Sequence, residues 1–68
     1  MGTLRKLLGG NLRRLRGDKT QVEFAKLLGI SKSSLNRIEI GEQNVSVDTL
    51  EIMAKRLKID ASELVKNS

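Results

Sequence analysis

Apolar residues along this chain recur at spacings of three and four, and period-two alternation is scarce, so the pattern predicts helices rather than strands. The helix starts are marked. Thr20-Gln21-Val22-Glu23 reads as a capping box, in which the Thr20 hydroxyl serves the Glu23 amide and the Glu23 carboxylate reaches back to Thr20. Ser31 is the next N-cap, and Ile30 before it forms a hydrophobic staple with Leu35. The staple recurs in Val45-Ser46 with Leu50 and in Ile59-Asp60 with Leu64, and Glu63 gives Asp60 a second capping box. These signals predict helix starts near residues 21, 32, 47 and 61. Gly29 and Gly41 stand where a left-handed residue ends a helix.

A first helix precedes these, with Leu4, Leu7, Leu8, Leu12 and Leu15 on one stripe. Gly9 and Gly10 interrupt it, each less favourable than Ala in a helix by about 1 kcal/mol. Regular helix is therefore expected from about Leu8 to Arg16, with residues 1–7 frayed. Val47, Leu50, Met53, Ala54 and Leu57 form the stripe of the fourth helix. No repeat, linker or low-complexity segment divides the chain. The expected architecture is all-α, with five helices in a single domain over residues 1–68.

Residues 20–41 carry the most specific signal. A helix of about eight residues ends at Gly29, and only Ile30 and Ser31 precede the next one. So short a link forces the helices to cross steeply, with the small Ala25 suited to close packing. The second helix then protrudes and can enter a major groove roughly 12 Å wide. Leu35 and Ile38 form its narrow apolar stripe, while the opposite face presents Lys32, Ser33, Asn36 and Arg37. All four can form hydrogen bonds, and none is acidic.

Charge supports an anionic partner. The 68 residues carry a net charge of +5, with a sequence pI of about 10.1. Residues 1–37 hold nine Lys/Arg against two Asp/Glu, net +7; residues 38–68 hold four against six, net −2. The basic half is the half that contains the short link. Charge alone is equally compatible with an ordinary solvated basic surface.

With no Cys and no His, disulfides and the usual transition-metal sites are excluded, and no metal or other cofactor is expected. Stability has to come from capped helices packed on one another. Lacking Tyr and a Gly-rich phosphate loop as well, the chain offers no enzyme machinery. Phe24 is its single aromatic residue and is expected in the core, which argues against stacking on single-stranded RNA. No apolar run approaches a membrane span and no leader pattern is visible, so a cytoplasmic protein is expected.

The ordered set of residues 11–16, 20–31 and 35–41, followed by Leu50, Ala54 and Leu57, resembles the phage-repressor-like helix-turn-helix family of lambda repressor, Cro and the Xre regulators. The resemblance runs from about Leu8 to Val65. It implies a lambda-repressor-like domain whose second and third helices bind a double-stranded DNA operator. Gln21 matches a glutamine that contacts phosphate and braces the recognition helix. Ser31, Lys32, Ser33 and Arg37 match groove-facing positions, with Ser31 nearest the backbone. Asn36, at the edge of that face, could reach a base or the backbone.

Arg37 or Lys32 could each donate to guanine O6 and N7, a contact worth about 1–3 kcal/mol of discrimination. A G-containing half-site is expected. Thr20, Gln21, Ser31, Asn44 and Ser46 are candidate phosphate contacts. For Thr20 and Ser46 a plain capping role is an equal reading, compatible with contact. The resemblance also pairs Arg14 with Glu39, locking the recognition helix to the first helix. Three positions depart from the pattern. Glu42 stands where a basic or neutral residue is usual, Ile40 replaces a polar residue, and Val45 stands where Pro is frequent.

The expected function is sequence-specific regulation of transcription by occupying an operator, as a repressor. A homodimer on two half-sites would compensate for the short reach of one copy. By resemblance Ile59, Leu64 and Val65 of a fifth helix form the self-association surface, unless they merely close the core. The alternative is a protein-interaction module, such as a toxin-neutralising antitoxin that also binds DNA.

Overall fold

A computed structural model describes residues 3–67. Four α-helices and one 3-10 turn make up the regular structure among them: α1 (Thr3–Arg16), α2 (Gln21–Leu28), α3 (Lys32–Glu39), α4 (Val47–Leu57) and the turn Ala61–Leu64. α1 packs on α3 and on the C-terminal turn, α2 on α3 and α4, and α4 on the C-terminal turn.

The caps form as their residue types dictate. Thr20, Ser31 and Ser46 adopt extended backbone and accept from the amides of Glu23, Ser34 and Thr49, at about 1 kcal/mol each. The reciprocal bond of the Thr20–Glu23 capping box is present at 3.0 Å. Gly29, at φ +79°, ends α2 in the left-handed conformation. After α3 the amide of Glu42 returns to the Arg37 carbonyl and that of Gly41 to Ile38, a Schellman closure with Gly41 at φ +79°.

The core consists of Leu8, Leu12, Phe24, Ala25, Leu28, Leu35, Ile38, Met53, Ala54 and Leu64, with Ile30, Val45, Leu50, Leu57 and Ile59 packed at its edge. Each staple therefore tucks a half-buried residue under the core. The α1 and α4 stripes are narrower than their spacing suggests. Leu4, Leu15 and Val47 remain exposed, Val47 because it opens α4 beyond the edge of the core.

Three expectations are corrected. The first helix does not begin at Leu8 but is continuous from Thr3, and only Met1 and Gly2 of the expected frayed segment lie outside the described residues. Gly9 is a packing residue rather than an interruption: a Cβ there would meet the Ile38 and Glu39 carbonyl oxygens at 2.5 and 2.6 Å. The backbone of α3 approaches α1 through the space left by the missing side chain. Gly10, one residue on, faces open space.

The fifth helix is a single 3-10 turn of four residues. Asp60 caps it by accepting from Ser62, and Glu63 bonds Lys66 at 2.8 Å instead of completing a capping box. Three residues per turn displace Glu63 from the position that an α-helix would give it. The third correction is the Arg14–Glu39 pair.

Candidate nucleic-acid interface

α3 presents polar side chains to solvent on one face and its attachment to the body on the other. Leu35 and Ile38 are buried, as is Glu39, whereas Lys32, Ser33, Asn36 and Arg37 are exposed. These four occupy positions i, i+1, i+4 and i+5, so they share a face.

Glu39 anchors this helix, but not through Arg14. Its carboxylate pairs with Arg16, Nε to Oε2 at 2.8 Å and Nη2 to Oε1 at 3.2 Å. The Glu39 side chain is 3% exposed and that of Arg16 23%. Two residues along a helix turn the side chain by about 200°, so Arg14 and Arg16 cannot both face α3. Arg14 bonds Asn11 Oδ1 at 2.7 Å instead. Arg16 also donates to the Lys19 carbonyl, bracing the four-residue link to α2.

Gln21, the first residue of α2, joins the same cluster. Its Nε2 donates to Glu39 Oε1 at 3.0 Å and to Asn36 Oδ1 at 3.2 Å. Arg16, Gln21 and Glu39 thus clamp the C-terminal half of α3, and with Gly9 they set the pose of the exposed face. Among the other sequence candidates, Thr20 and Ser31 use hydroxyl oxygens as cap acceptors and keep a proton to donate. Ser46 is more committed, since it accepts from the Thr49 amide and donates to Thr49 Oγ1. Asn44 is exposed in the loop before α4.

Four residues of α1 contribute beyond the expectations drawn from the sequence. Arg16 escaped notice because its partner depends on helix phase. Asn11, 3% exposed, donates to the Leu64 and Lys66 carbonyls at 2.9 and 3.0 Å and pins the C-terminal segment to α1. Lys6 lays its stem over Gly41, its Cγ 3.5 Å from where a Cβ would stand, one residue before Glu42. Arg5 lines the same crevice as Asn44 and Ser46. The uninterrupted N-terminal half of α1 was the missing signal for both cations.

The opposite charge lies elsewhere. An open groove of 660 Å³ between α4 and the C-terminal turn is lined by Asp48, Glu51 and Lys55 with Ile52, Ala54 and Ile59, a carboxylate-bearing surface unsuited to phosphates. Of the residues expected to form a self-association surface, Leu64 is fully buried and closes the core. Ile59 and Val65 stay partly accessible.

A helix-turn-helix family model matches residues 11–64. The chain belongs to the helix-turn-helix family. The uncharacterised HTH-type transcriptional regulator y4dJ of Sinorhizobium fredii is 41% identical over 64 residues, covering 91% of this helix-turn-helix chain and 83% of the relative. Antitoxin PezA of Streptococcus pneumoniae is 36% identical over 61 residues, 87% of this chain but 39% of PezA, so the chain spans well under half of that relative.

Among solved structures, the restriction-modification controller protein C.AhdI from Aeromonas hydrophila superposes with a TM-score of 0.77 at 34% identity, covering 88% of this chain and 94% of C.AhdI. A hypothetical transcription factor from Neisseria reaches a TM-score of 0.82 at 29% identity, covering 93% and 75%. No helix among the described residues is long and apolar enough to cross a membrane.

Proposed function

We propose that this chain is a sequence-specific double-stranded DNA-binding regulator of transcription, with α2 and α3 as its helix-turn-helix and α3 in the major groove. The observation that carries this reading is the division of α3: Leu35, Ile38 and Glu39 hold it to the body, while Lys32, Ser33, Asn36 and Arg37 face outward. Family membership and relatives named as transcriptional regulators support it.

In this reading Lys32, Ser33, Asn36 and Arg37 contact base edges. Thr20, Ser31 and Asn44 contact phosphate, joined by Lys6 and Arg5 on the flank after Gly41. Gln21 does so through its main-chain amide, both of its side-chain protons being engaged by Glu39 and Asn36. Ser46 acts chiefly as a cap. The mechanism is occupancy rather than chemistry: a dimer on two half-sites about one helical turn apart excludes polymerase and represses.

Selection from randomised duplex oligonucleotides tests the reading. A short motif repeated with two-fold symmetry is the expected result; no enrichment over competitor DNA at low salt refutes it.

The likeness to Antitoxin PezA supports a second reading, in which the domain also takes part in neutralising a toxin. Recovery of a stoichiometric protein partner by pulldown, with no footprint on any enriched duplex, favours interaction over DNA binding.

A further inference from the structure

We propose that Gln21 sets the base preference of Asn36 by dictating which end of the Asn36 amide faces DNA; this rests on the reading of α3 as the recognition helix. Arg16 can only donate, and it occupies both oxygens of Glu39. The Glu39 carboxylate can only accept, so the Gln21 group that meets Oε1 at 3.0 Å is its NH2. The other proton of that nitrogen faces Asn36 at 3.2 Å, and Asn36 therefore presents its carbonyl Oδ1 inward. Hydrogen-bond polarity is relayed from a buried ion pair to an exposed amide. No described residue accepts from Asn36 Nδ2, and Asn36 is exposed, which leaves that end to the solvent side.

The consequence is a specific loss. An unconstrained asparagine reads adenine with both ends, donating to N7 and accepting from N6. Asn36 has its acceptor turned to Gln21 and meets the groove as a donor. Donors are matched by guanine, which offers N7 and O6 as acceptors, and adenine N6 finds no partner. Asn36 thus prefers guanine over adenine at the position it reads.

Two substitutions at Gln21, half-exposed at the start of α2, change the polarity; each also takes one donor from Glu39, which keeps both of its bonds to Arg16. Gln21→Leu removes the inward donor and frees Oδ1. Gln21→Glu supplies acceptors only and is repelled by the Glu39 carboxylate, so of its two present neighbours only Asn36 can partner it, with the NH2 turned inward and the carbonyl outward.

The experiment is the randomised-duplex selection run on the unmodified chain, Asn36→Ala, Gln21→Leu and Gln21→Glu, each first checked for helicity by circular dichroism. Asn36→Ala identifies the position by erasing preference at one base pair. There the unmodified chain enriches guanine. The guanine-to-adenine ratio falls at least about fivefold in Gln21→Leu, and Gln21→Glu enriches the donor-bearing bases cytosine or adenine. Adenine enriched by the unmodified chain, no position lost in Asn36→Ala, or ratios unchanged in both folded Gln21 variants overturns the relay while DNA binding stands. No enriched sequence from any folded protein overturns the underlying reading instead.

Discussion

Adjacent glycines of α1 should respond to the same substitution with opposite sign. At Gly10 a Cβ meets nothing within 4 Å, so Gly10→Ala keeps only the gain in helix propensity, about 1 kcal/mol. At Gly9 the same gain is opposed by contacts of 2.5 Å to the Ile38 oxygen and 2.6 Å to the Glu39 oxygen, with the Glu39 carbonyl carbon at 3.0 Å. An ordinary carbon–oxygen contact is about 3.3 Å, so the shortfall is about 0.7–0.8 Å against two groups at once. Both belong to the backbone, and no side chain can swing away. Relief requires α1 and α3 to separate, which also stretches the Arg16–Glu39 pair.

Overpacking of this kind costs about 1–3 kcal/mol in a tight core, and the strained ion pair adds to it. The net expectation for Gly9→Ala is a loss of about 1–3 kcal/mol. For a domain of this size each kcal/mol moves Tm by roughly 4–8 °C. Thermal unfolding by circular dichroism should therefore show Gly9→Ala melting well below, and Gly10→Ala a few degrees above, the unmodified chain. A Gly9→Ala protein as stable as Gly10→Ala would refute the close approach of α3 to α1.

The clamp on α3 predicts that Arg16→Ala destabilises by about 2–4 kcal/mol, less than a fully buried pair because Arg16 is 23% exposed. Arg14→Ala should lose under about 1 kcal/mol; urea melts giving the reverse order would restore the Arg14 pairing. Asn11→Ala leaves the Leu64 and Lys66 carbonyls without their donor and should cost about 1–3 kcal/mol, with faster amide exchange confined at first to residues 61–67. Lys58, at φ +60°, is the one described non-glycine residue with positive φ. Lys58→Gly should raise stability by about 0.5–1 kcal/mol, the left-handed strain relieved exceeding the chain entropy added; a lower Tm would contradict this. Arg37→Ala should relax preference at one base pair by about 1–3 kcal/mol with Tm unchanged, read by the same selection that defines the operator.

Much of this fold is legible because caps and staples are local. Thr20, Ser31 and Ser46 act on amides three residues away, and that distance is visible in any sequence. What escapes prediction depends on contacts distant along the chain. Gly9 and Gly10 look alike until the Ile38 carbonyl is brought against one of them. Arg14 and Arg16 are equally good partners for Glu39 until helix phase and the short link through residues 17–20 choose between them. The end of α4 carries no glycine signal, since Lys58 takes the left-handed position itself. On the candidate interface, the outward residues of α3 follow from periodicity, whereas the cations Arg5 and Lys6 required α1 to continue past its glycines.

The shortness of α3 has a further consequence, best put as information. Eight residues of helix span about 12 Å, which faces about three to four base pairs of duplex at about 3.4 Å each. Each fully specified base pair supplies two bits, so one helix carries roughly six to eight bits against a genome offering about a million or more competing sites. Such a word recurs about once in every 64 to 256 base pairs. An address unique in a genome needs about twenty bits, so even a pair of such helices falls short and the remainder must come from the spacing between them and from the deformability of the DNA they span. The brevity that makes α3 easy to clamp therefore makes addressing a property of the assembly.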